Sequence, residues 1–196
     1  MADETPDKHA SPNDLPFALS ARGLFTARTV LVFGEVNTEL AAAVTAQLLA
    51  LAAAGRKPIR LVLHSQGGHV EAGDTIHDVI RFVEPEVRIL GSGWVASAGA
   101  LIYCSVPRER RFSLPNTRFM LHQPLGGVGG QASDVEIEAR QILILRERLN
   151  RLFAAATGQP YEKIVRDTDR NYWLTAEEAQ AYGLVGRIVE RSQDLA

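Results

Sequence analysis

Val87-Arg88-Ile89-Leu90 runs through Gly91-Ser92 into Gly93-Trp94-Val95-Ala96-Ser97-Ala98-Gly99-Ala100, and a second apolar run, Leu101 to Cys104, follows. The first run reads as a strand and the second as a helix, with a serine at their junction. Alanine and glycine on either side leave room for a substrate carbonyl beside Ser97. The start of a helix offers free N–H groups and a positive dipole end, which suit an oxyanion. The segment therefore has two readings: a nucleophile raised at a strand-to-helix turn, or a small-residue turn in which Ser97 caps the helix.

The chain before this junction alternates strands and helices. Thr29 to Gly34 is a short apolar strand. Asn37 or Thr38 then caps a helix in which Leu40, Val44, Leu48 and Leu51 recur at helical spacing, until Gly55 and Pro58 end it. Ile59 to Leu63 is a second strand, stopped by Ser65-Gln66-Gly67-Gly68. The next helix carries Ile76, Val79, Ile80 and Val83 on one face. This β-α-β-α-β-α rhythm predicts parallel strands joined by helical crossovers.

After the junction the pattern changes. Arg110 to Leu114 and Arg118 to His122 flank Pro115-Asn116, which suggests a hairpin or a tight turn. Gly126-Gly127-Val128-Gly129-Gly130 reads as a flexible connector. A long helix follows, at about 133–157, with a capping box from Ser133 and Glu136. Its Val135, Ile142, Leu145, Leu149, Leu152 and Ala156 repeat at near-heptad spacing, and Gly158 and Pro160 close it. Such a helix is either an interaction arm or a crossover packed on its own sheet. A short helix with a Thr175/Glu178 capping box stops at Gly183 and precedes an edge strand near Ile188-Val189. Residues 1–16 hold three prolines and little apolar content, so they read as a flexible tail or removable leader. Residues 17–196 read as a single domain.

Composition narrows the function. Of 196 residues, 46% are hydrophobic and 22% charged, with a net charge of −2, which favours neither nucleic acid nor an anionic membrane. No apolar stretch reaches the roughly 18 residues of a bilayer span, and no signal-peptide core is present. Cys104 is the one cysteine, in an apolar run, and reads as packing in a reducing, cytoplasmic setting.

Serine hydrolysis needs a base, a group that orients it and two oxyanion donors. His122 is the best base, since it ends an apolar strand just before Gln123-Pro124. His64 is the runner-up, beside the glycine pair, while His9, His69 and His77 are weaker. Gly67-Gly68 lets a backbone approach a ligand closely. The N–H groups of Gly68 and Ala98 could together hold an oxyanion.

These segments, with Pro115-Asn116, Arg118, Met120-Leu121-His122-Gln123-Pro124-Leu125-Gly126-Gly127, Gly130-Gln131-Ala132, Asp134 and Thr175-Ala176-Glu177-Glu178-Ala179 to Val185, stand in the order and spacing of a known family. The chain resembles the Clp protease proteolytic subunit (ClpP) over roughly residues 29–190. The resemblance implies an α/β fold of the ClpP/crotonase type, a β-α-β spiral head with a protruding helical handle. It implies Ser97 as nucleophile, His122 as base, and Gly68 and Ala98 as oxyanion donors. The substrate would add as a strand between Gly67-Gly68-His69-Val70 and Leu125-Gly126-Gly127. Gln131, Asp169 and Arg170 would lie where two heptameric rings stack into a chamber with fourteen subunits. No metal or cofactor is implied in this chain, and an ATP-driven AAA+ unfoldase would supply unfolded polypeptide.

Three departures stand out. Asn171 occupies the place of the family's triad aspartate, His64-Ser65-Gln66-Gly67-Gly68 replaces Asn-Ser-Pro-Gly-Gly, and the segment before Thr29 keeps little of the family pattern. An amide at 171 carries no charge to stabilise an imidazolium, whereas an aspartate would. Asn171 is expected as a weak third member, with Asp169 a poorer substitute. The alternative to a serine endopeptidase is a weakly active or structural ring subunit working in a mixed particle with a standard ClpP paralogue. A crotonase-type acyl-CoA enzyme on the related fold is the third reading, and the Ser97/His122 pair argues against it.

Overall fold

The computed structural model describes residues 14–127 and 129–195; the first thirteen residues of the expected tail, with His9, lie outside the described residues, as does Val128 of the glycine connector. Thr29–Val36 (β1), Ile59–Gly68 (β2) and Val87–Ala96 (β3) pair in parallel, joined by helices Thr38–Ala53 (α2) and Val70–Phe82 (α3). Asn37 caps α2, its side chain accepting the Leu40 N–H at 2.9 Å. Val44, Leu48 and Leu51 of α2 and Ile76 and Ile80 of α3 are buried, packing against strand residues such as Leu61, Leu63 and Ile89 in one core. The six-residue helix Ala98–Tyr103 (α4) is buried along its whole length behind the sheet.

The second half corrects two expectations. Arg111–Ser113 (β4) and Arg118–Leu121 (β5) do not form a hairpin. Both run parallel to β3, β4 opposite Ile89 to Gly91 and β5 opposite Trp94 to Ala96. The Pro115-Asn116 turn is present, closed by the Thr117 N–H on Leu114, but it shifts the chain along the same neighbour instead of reversing it. The long helix spans Ala132–Thr157 (α5), and Gln131, not Ser133, stands at its N-cap, without a side-chain cap bond. Ser133 already lies inside the helix, and Glu136 pairs with Arg140, one turn on, at 3.1 Å.

The elements not anticipated include helix Asp14–Thr26 (α1), which takes in the last residues of the expected tail, helix Tyr161–Asp167 (α6) and strand Tyr172–Leu174 (β6). β6 pairs antiparallel with β5, Leu121 facing Tyr172. Helix Ala176–Tyr182 (α7) carries the expected Thr175/Glu178 capping box, and Arg187–Ile188 (β7) edges the sheet against β4.

α5 is anchored mainly through its C-terminal half. Leu149, Asn150, Phe153 and Thr157 are its buried residues, and Arg148 grips Asp74 of α3 with both guanidinium nitrogens. Toward its start Ile137, Leu143 and Ile144 are more than half exposed. The helix projects from the domain as an arm and is not a crossover laid on its own sheet.

Candidate active site

Ser97 closes β3 and opens α4 with φ 56° and ψ −121°. A residue with a Cβ holds such a backbone only where its surroundings impose it, at about 1–3 kcal/mol. Here the Ser97 N–H donates to the Met120 carbonyl of β5 at 2.9 Å, and the Ser97 carbonyl accepts from Leu101 at 3.1 Å. The hydroxyl is not used as a helix cap. It lies 2.7 Å from Nε2 of His122, which sets the simple N-cap reading aside.

His122 follows the last residue of β5, two residues beyond the carbonyl that holds the Ser97 main chain, so one strand end brings the two residues together. Burial lowers the His122 pKa below the ordinary histidine value. At neutral pH the ring is therefore an uncharged base. For the serine hydroxyl to donate into Nε2, the ring proton sits on Nδ1. Among the described residues Nδ1 has no hydrogen-bond partner.

The glycine pair is packed against this site. A Cβ on Gly67, whose φ is +98°, would lie 2.5 Å from the Ser97 Cβ and 2.9 Å from the Ala96 carbonyl oxygen. A Cβ on Gly68, at φ +149°, would lie 2.2 Å from the Val36 carbonyl oxygen. Only glycine fits at either position. Gly67→Ala should therefore displace Ser97 and lower kcat by about a hundredfold, measured on peptide turnover with assembly checked by native mass; wild-type kcat would show that the loop yields freely. Ala98 is the first residue of α4, so its N–H has no partner within the helix.

Sequence reasoning missed how this loop is held without the family's proline. The buried Ser65 hydroxyl donates to the Gly34 carbonyl at 2.6 Å and accepts the Gly67 N–H at 3.0 Å. The signal was present in the Ser65-Gln66-Gly67 spacing, which lets a serine side chain bond the backbone two residues on.

His64, the runner-up base, is occupied elsewhere. Its Nδ1 sits 3.0 Å from the Ser92 carbonyl oxygen and its ring packs on Phe33. His77 pairs with Asp78, and His69 precedes α3 without capping it. Cys104 is buried and free, its thiol pushed up to about 11 by burial, which makes it inert packing.

Asn171 is exposed and lines a hollow of about 350 Å³ together with His122, Gln123, Leu125, Asp169 and Arg170. It shares the base's surroundings without a hydrogen bond to the ring. Asp169 is turned to the arm, 3.3 Å from Arg146 of α5. Leu125 is 84% exposed, and Gly126 and Gly127 are exposed beside it. The extended chain of Gly67 and Gly68 ends at His69, because Val70 opens α3, so the expected strand-like segment does not reach Val70. Gln131 and Arg170 are exposed. Among the described residues no group of three or more His, Cys, Asp or Glu could hold a metal ion, and no helix is long and apolar enough to cross a membrane.

The chain is similar to known proteins over most of its length. The family model described as Clp protease matches residues 17–192. The ATP-dependent Clp protease proteolytic subunit 3 of Rhizobium johnstonii is 56% identical over 196 residues, all of both chains. The proteolytic subunit 2 of Pseudomonas aeruginosa is 49% identical, covering 98% of this chain and 97% of its own. Among solved structures, ClpP1 from Listeria monocytogenes superposes with a TM-score of 0.83 at 52% identity, covering 90% of this chain and 99% of that one. A ClpP1 mutant from the same organism, with one asparagine changed to aspartate, gives 0.85 at the same identity and coverage.

Proposed function

The chain belongs to the Clp protease family of serine peptidases, and from that premise we propose that it is a ring subunit that cleaves unfolded polypeptides at Ser97. The observation that carries the reading is the 2.7 Å contact between the Ser97 hydroxyl and His122 Nε2. Ser97 Oγ attacks the peptide carbonyl while His122 takes its proton. The N–H groups of Gly68 and Ala98 receive the oxyanion. The imidazolium then protonates the leaving amine, and water, activated by the same ring, releases the acyl group. The chemistry draws on no cofactor in this chain, and ATP hydrolysis belongs to a partner unfoldase.

The substrate lies extended between Gly67 to His69 and Leu125 to Gly127, adding main-chain bonds without reading much sequence. Subunits assemble as stacked heptameric rings. The exposed Ile137, Leu143 and Ile144 of the projecting α5 support contact between rings, because apolar side chains on an unpacked helix favour burial against a partner. Gln131 stands at the start of the arm, and Asp169, with Arg170 beside it in the chain, meets the arm further along, at Arg146.

A fluorophosphonate or β-lactone probe should label the wild-type protein at Ser97 and leave Ser97→Ala unlabelled, as read by peptide mass mapping. Absence of label in every assembly state would overturn the reading. The unbonded Asn171 favours a second reading, a weakly active subunit that completes a mixed particle with a standard paralogue. In such particles, Ser97→Ala would leave turnover unchanged if this chain serves only as structure.

A further inference from the structure

Among the described residues the His122 ring makes one side-chain hydrogen bond, to Ser97, and none to Asn171, so no third side chain bonded to the ring holds it. The ladder ends one residue earlier, at Leu121 opposite Tyr172. Beyond His122 the chain is tied at once by Gln123, twice. Its main-chain N–H donates to the Thr168 carbonyl at 2.7 Å, and its side-chain Nε2 donates to the Asp169 carbonyl at 2.8 Å. Pro124 follows, fixing φ and restricting the backbone of Gln123 before it.

The acceptors are themselves anchored. The fully buried Thr168 hydroxyl lies 2.9 Å from Asn150 Oδ1 on α5 and 2.8 Å from the Ile164 carbonyl oxygen. Asp169 is 3.3 Å from Arg146, one turn earlier on α5. The turn that receives Gln123 is thus fastened to the base of the arm.

We infer that Gln123 is a positioning residue for the hydrolysis: its paired donors on Thr168 and Asp169 hold the His122 imidazole at Ser97, the task that a carboxylate bonded to the ring would otherwise share. This rests on the reading of Ser97 and His122 as nucleophile and base. A single partly exposed hydrogen bond contributes little to stability, so losing the side-chain donor should leave the fold intact. A base displaced by about an ångström loses rate on the order of a hundredfold.

The test uses the assembled particle. Gln123→Met keeps the length of the side chain and removes its donor, and Gln123→Lys restores a donor. Gln123→Met should lower kcat and the rate of Ser97 labelling by about ten- to a hundredfold, with KM within about twofold and native mass unchanged. Gln123→Lys should recover most of that loss. Wild-type kcat in Gln123→Met, equal impairment in both variants, or loss of the particle would each overturn the inference. A wild-type protein that takes no label at Ser97 would overturn the functional reading itself, whereas labelled wild type beside an unaffected Gln123→Met sinks this inference alone.

Discussion

Asn171→Asp should raise kcat for a short peptide by as much as about 10³–10⁴-fold, the scale on which a serine-protease triad depends on its carboxylate. Asn171 lines the same hollow as His122, so a carboxylate at this position would put a negative charge in the surroundings of Nδ1–H. The imidazolium formed as Ser97 attacks would then have a counter-charge, which an amide cannot supply. The pH profile should move as well. Burial now holds the His122 pKa below the ordinary value of about 6.5. Activity needs the neutral ring, so kcat/KM rises with pH through that depressed pKa and levels off above it. A carboxylate favours the charged ring, so the rising limb should shift to higher pH in the variant. Unchanged kcat and an unmoved limb in an intact particle would mean that residue 171 is not the third member.

His122→Ala should cost about a hundredfold in kcat in the wild-type background and about 10⁵–10⁶-fold in the Asn171→Asp background. The asymmetry follows from how catalytic groups act together. Losing the whole triad of a serine protease costs about 2 × 10⁶, and losing the carboxylate alone already costs about 3 × 10⁴. A site that starts without the carboxylate has less left to lose. The measurement is a double-mutant cycle on peptide turnover, with Ser97→Ala as the floor. A loss of the same size in both backgrounds would show that the two residues act independently.

The parallel core was legible because β1, β2, β3 and the faces of α2 and α3 are strongly periodic and separated by glycine or proline. The meeting of Ser97 with His122 was legible for a related reason, since both sit where a clear apolar run breaks. The short elements were not. α6 and β6 hold seven and three residues, too few for periodicity to register. α1 carries Pro16 and Gly23, which disguise a helix. The hairpin expectation failed because a tight turn constrains four residues and says nothing about which neighbour the next strand will choose. β5 is drawn to the free upper half of β3, a choice visible only in three dimensions. The holding roles of Ser65 and Gln123 escaped for a similar reason: their partners are backbone carbonyls 31 and 46 residues away in the chain.

Ser97 bends its main chain into a region where glycine is at ease and serine is not. The most relaxed version of this corner would accordingly have no hydroxyl. With Ser97 as the proposed nucleophile, thermal robustness and chemistry pull in opposite directions at a single α-carbon, and hardening the fold by choosing the residue most comfortable there would silence the enzyme.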